Sequence, residues 1–121
     1  MYVVVFEITV SGPNLPAYLA YAEKLLPLLD TTEGIISVER FRSLRQADRY
    51  VSLSYWRDEN AITLWRNHAE HRMAQATGRG LFFDSYMITV AEVIRRYGMQ
   101  ERDEAPSDSN LYLRAGNGSD F

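Results

Sequence analysis

Two histidines three residues apart, His68 and His71, lie in a stretch from Tyr55 to Gly80 that also holds two tryptophans and several arginines. On an unbroken helix the two imidazoles could share one ligand, and imidazole is the side chain best suited to move protons near neutral pH. A metal site is not expected: "HAEH" is not the HExxH pattern, and no third ligand stands at a usable spacing. At about 100° per residue, Ala61, Ile62, Trp65, Ala69, Arg72, Met73 and Ala76 share one helix face, with Trp65 near its centre. A large ring among alanines reads either as a core anchor or as the wall of a small-molecule cavity. Arg72 reads either as a snorkelling stem or as an anion contact in that cavity. In the cavity reading the histidines lie on the flank of that face, with His71 at or near the mouth. "NHAE" also fits a capping box, Asn67 with Glu70, which would break the helix after Arg66.

The elements that must position these side chains follow from periodicity. From Tyr2 to Val10 the chain is β-branched and aromatic, and "SGPN" ends that strand. Leu15, Tyr18, Leu19, Ala22, Leu25, Leu26 and Leu29 recur at helical spacing, with Pro27 expected to end or kink the helix. "GIISVERFRSL" and "RYVSLSYW" read as a hairpin joined by "RQAD". Asp58 is the expected N-cap of the second helix and Gly78 its C-terminal stop, and a fourth strand runs from Ser85 to Tyr97. The order is that of a ferredoxin-like α+β fold, βαββαβ, with an antiparallel four-stranded sheet. Tyr2, Val4, Phe6, Ile8 and Val10 would serve the helix face. Val3 and Val5 then make the opposite face apolar, which predicts a homodimer with sheets packed together. Glu7 on that face needs an arginine, and Arg95 or Arg96 are the candidates.

At 121 residues the chain fits one domain, taken as 1–98, followed by a polar and flexible tail over 99–121. In the tail, Leu111 to Leu113 is the segment that could instead dock on a partner subunit. Up to Gly98 there are 11 Lys+Arg against 11 Asp+Glu, and after it 2 against 5, so the formal charge of -3 belongs to the tail. A neutral domain without a basic stripe argues against nucleic acid. The chain has no cysteine, which excludes thiol chemistry and disulfides. Its N-terminal apolar run stops at Glu7, so neither a signal peptide nor a membrane span is expected, and a cytoplasmic location is the simplest reading.

The strand-end "YW", then "DENAITLW", "EH" and "GR" leading into a strand with tyrosines, resemble the antibiotic biosynthesis monooxygenase family of dimeric α+β barrels. That resemblance spans Tyr2 to Gly98. It implies a monooxygenase that needs no cofactor and oxidises a small phenolic or quinol-like molecule between helices and sheet. Trp65 matches the family's substrate-positioning tryptophan. The family's polar residue one turn earlier falls at Ala61, and its tyrosine roughly two turns later falls near His71. The catalytic set implied is His71, Trp65 and Arg72, with Trp65, Ala61, Ala69, His68 and Tyr86 contacting substrate. Haem-degrading relatives use a later histidine as iron ligand, where this chain has Gln75, and an asparagine on the first strand, where it has Phe6 and Glu7.

Overall fold

Strand β1, Tyr2–Thr9, is central, and its two neighbours fix its register. Strands β2 (Ile35–Arg42), β3 (Arg49–Trp56) and β4 (Ser85–Glu92) complete an antiparallel sheet in the order β2-β3-β1-β4. Helices α1 (Leu15–Asp30) and α2 (Glu59–Thr77) supply the split pattern, and a third helix, α3 (Ser107–Arg114), follows the sheet. This computed structural model describes residues 1–77 and 83–114, with side chains described outside 70–77 and 112–114. No helix among the described residues is long and apolar enough to cross a membrane.

The period-two pattern of β1 settles which face is which. Ile8 and Val10, with Phe6 beside them, pack on Tyr18, Leu15, Leu19 and Ala22 of α1. Tyr2 and Val4 pack on a second cluster of Trp56, Ala61 and Ile62 beneath α2. Trp56 is 2% exposed, and its indole N–H donates to Ser54 Oγ at 2.8 Å, so the core takes the ring without stranding its polar atom. The alternate residues Val3, Val5 and Glu7 pair with Tyr55, Leu53 and Val51 on one side and Ala91, Thr89 and Met87 on the other. Neither core cluster reaches that face. Within it Glu7 pairs with Arg49 at 3.2 Å, not with Arg95 or Arg96, because β3 runs beside β1 and brings Arg49 within reach. Arg96 instead lies over the Tyr55 ring, 4.3 Å from its centroid.

Three local expectations are corrected. Helix α1 continues through Pro27 to Asp30. Its closing turn is held by Thr31 and Thr32, whose hydroxyls donate to the Pro27 and Leu28 carbonyls at 3.1 and 2.8 Å. Helix α2 runs unbroken across Asn67, so no capping box interrupts it and the histidine spacing is helical. Strand β4 stops at Glu92, short of the expected Tyr97. The polar stretch after Gly98 holds α3 and a local knot of hydrogen bonds. There the Arg102 guanidinium donates to Gly98 O, Asn110 Oδ1 and Ser109 Oγ at 2.9 to 3.1 Å, over the ring of Tyr97.

Helix α2 starts as expected. Asp58 Oδ1 accepts the Ala61 N–H at 2.9 Å, and that bond, helped by Arg57, holds the Asp58 carboxyl below its ordinary value of 3.8. A depressed folded-state value means the carboxylate stabilises the fold above about pH 4 and loses that contribution as pH falls through the folded-state value. Asp58→Ala should lower the thermal midpoint by a few degrees at pH 7 and by much less near pH 3, as scanning calorimetry would show. Just upstream, Gly34 sits at φ 92° against the Ala61 side chain, and a Cβ added at residue 34 would fall 2.5 Å from the Ala61 methyl. Glycine is required at that crossing.

Candidate active site

The helix face of the sheet is not evenly covered. Under α1 and the start of α2 the two core clusters close it, but along β4 the residues facing the helices are Tyr86, Ile88 and Val90, about half-exposed. Register places them opposite Ile8, Phe6 and Val4. The result is a half-exposed apolar strip of the helix face along β4, beside β1.

Aromatic rings build one end of it. Phe6 meets Phe83 and Tyr86 edge-to-face at 5.6 and 5.8 Å, and Phe83 meets Tyr18 at 5.6 Å. Such pairs hold the rings in a fixed mutual orientation. Tyr18 stands between this group and Tyr50, with the Arg40 guanidinium 5.9 Å from its ring centre. Burial pushes the Tyr18 phenol up, and Arg40 works against that, so the hydroxyl stays protonated at neutral pH. Helix α2 adds a second aromatic pair on the same side of the sheet. Trp65 is partly buried against Trp56, Ala61 and Ile62, and the exposed His68 ring lies 5.8 Å from it, tilted by 45°.

The structure thus brings Trp65 and His68 together and puts Tyr86 in the aromatic group on the sheet. Ala61 is buried beneath Gly34, so its methyl is a packing contact there. The Ala69 carbonyl accepts from the Tyr21 hydroxyl at 3.4 Å, which ties α2 to α1. His71 and Arg72 belong to α2 by backbone, but their side chains lie outside the described residues. Among the described residues no three His, Asp or Glu side chains converge. Sequence reasoning passed over Phe83 and treated Tyr18 as one of a leucine-rich stripe. The signal for Tyr18 was a phenol among aliphatic neighbours, whereas Phe83 lies ahead of β4, outside any element, where periodicity says nothing.

The βαββαβ fold belongs to a known class. A family model, antibiotic biosynthesis monooxygenase, matches residues 1–77, and the chain belongs to that family. It is 37% identical over 93 residues to the jasmonate monooxygenase ABM of Pyricularia oryzae, a match that covers 77% of this chain and 43% of that protein. The chain therefore spans less than half the length of that relative. It is 38% identical over 101 residues to the uncharacterized protein YqjZ of Bacillus subtilis, covering 83% of this chain and 85% of that one. Among solved structures it resembles a MhuD mutant with two manganese protoporphyrin IX molecules bound per active site. That likeness has a TM-score of 0.66 at 15% identity, covers 81% of this chain and 99% of the other, and speaks for the fold.

Proposed function

We propose that the chain is a monooxygenase that needs no cofactor and oxidises a small aromatic or quinol-like molecule in the cleft between α2 and the β1–β4 face. The observation that supports this is the half-exposed Tyr86 beside Phe6 and Phe83, an apolar aromatic surface on the helix face of the sheet. A planar ring seated there would meet apolar and aromatic surface. The chemistry asks little else of the protein. A base removes a proton from the substrate, the anion passes an electron to dioxygen, the two radicals join as a peroxide anion that takes the proton back from the base, and the resulting hydroperoxide loses water to leave a carbonyl. Protein groups need only take the proton and stabilise the anion. In this reading His71 is the base, Arg72 the anion contact, and Trp65 with His68 the substrate's wall, with Ala69 behind it. We place the active protein in the cytoplasm as a homodimer.

The test is oxygen uptake with a panel of quinols and naphthols, to which jasmonate is added because a 37% identical relative is named for it. Uptake that falls about 10²- to 10⁴-fold in His71→Ala protein would assign the base. Binding without uptake, unchanged by that substitution, would instead make the chain a small-molecule binder. A haem-degrading role is the further alternative, raised by the porphyrin held in a protein of the same fold. It is opposed by Gln75 where the family's iron ligand falls. Hemin titration without a Soret shift would remove it.

A further inference from the structure

Helix α2 is pinned to its neighbours at two levels. At its start Ala61 and Ile62 are buried with Trp56, Ala61 crosses Gly34, and Leu29 of α1 packs on the same cluster. Further along, the Tyr21 hydroxyl of α1 donates to the Ala69 carbonyl at 3.4 Å. Tyr21 and Leu29 stand eight residues apart on α1, as do Ala61 and Ala69 on α2, so the helices run antiparallel. The two levels then lie roughly 12 Å apart at about 1.5 Å per residue. Trp65 falls midway between them, and His68 is one residue short of the upper level.

Little else secures the stretch between the pins. Leu64 is 62% exposed, and Arg66, Asn67 and His68 are exposed, so past Ile62 the large apolar side chain that α2 turns to the core, among the described residues, is Trp65. Tyr21 supplies what packing does not. It is 8% exposed, and a buried phenol has to find an acceptor. It finds one on the neighbouring helix, at a carbonyl that α-helical geometry already gives to the amide four residues on. Apolar contact is non-directional and lets one helix slide on another, whereas a hydrogen bond to a single carbonyl fixes its place.

We infer that Tyr21 is a positioning residue, whose buried hydroxyl fixes where α2 holds Trp65 and His68 against the substrate. This rests on the aromatic-substrate reading proposed above, and it makes α1 part of the site. Without the bond α2 stays pinned where Ala61 crosses Gly34 and swings about that point, so each residue moves in proportion to its distance from Ala61.

Tyr21→Phe keeps the ring and removes the donor, and two measurements on the full chain test the inference. In NMR spectra, changes in amide shift along α2 should grow from Ala61 to Ala69. The Trp65 indole and His68 imidazole signals should move while the Trp56 indole signal stays in place. In the oxygen-uptake assay KM should rise about tenfold with kcat little changed, because a wall contact is made alike in ground and transition states. A variant that is merely less stable would show the opposite, kcat reduced with the folded fraction and KM unaltered. That result, or shift changes that are absent or uniform along α2, would overturn the inference. If the native chain neither binds nor oxidises any of the panel, the proposed function falls, and the graded shifts alone decide whether Tyr21 sets the helix.

Discussion

Trp65→Ala should abolish substrate-dependent oxygen uptake while leaving a folded protein. Full truncation of a large core ring costs about 3 to 5 kcal/mol. Trp65 is only partly buried, packing on Trp56, Ala61 and Ile62 with one side toward His68, so the expected loss is smaller, about 1 to 3 kcal/mol in a urea titration. The contrast with Trp56 makes this measurable. Trp56→Ala, at 2% exposure, should show the full core cost. If Trp65→Ala proves as destabilising as Trp56→Ala and substrate still turns over, the ring belongs to the core and the cleft must be sought nearer Tyr86.

If the chain forms the homodimer proposed above, Val5→Asp is expected to yield a monomer that retains its strand content. Val5 lies mid-strand between Leu53 and Thr89, on the face opposite the two core clusters. A carboxylate placed there in a packed sheet interface would lose its water without gaining a partner, since Arg49 is already engaged by Glu7. In a monomer the same side chain would point to solvent at little cost. Analytical ultracentrifugation combined with circular dichroism separates the two outcomes, and a variant that remains dimeric with the carboxylate in place would move the interface elsewhere.

The fold was legible because its signals are local and repeated. Alternation in β1 assigned Ile8 and Val10 to the helix face, and the Asp58 cap marked the start of α2. What was misread depended on a competing partner. Pro27 did not end α1, which runs on to Asp30, where the Thr31 and Thr32 hydroxyls donate to the Pro27 and Leu28 carbonyls. Glu7 found Arg49 through strand pairing that no spacing rule reveals. The tail's composition is that of a disordered segment, yet one arginine gathers Gly98, Ser109 and Asn110 around it. Of the candidate site, Trp65 was legible from its helix face. The Phe6–Phe83–Tyr86 group was not, because it joins one strand to another and to the segment ahead of it, and that pairing exists only in three dimensions.

The crossing of Gly34 and Ala61 constrains how this cleft can change. Both positions draw on one small volume: the backbone of residue 34 needs glycine's conformation, and the Ala61 methyl already fills the space a Cβ there would take. A larger or polar side chain at 61 therefore has no low-cost route by single substitution, since it would push the start of β2 away from α2. Of the half-exposed positions on β4, Tyr86 is tied to the Phe6 and Phe83 rings, whereas 88 and 90 carry no such crossing. Under the function proposed above, a selection for altered specificity should return its changes at 88 and 90, with the helix start held fixed.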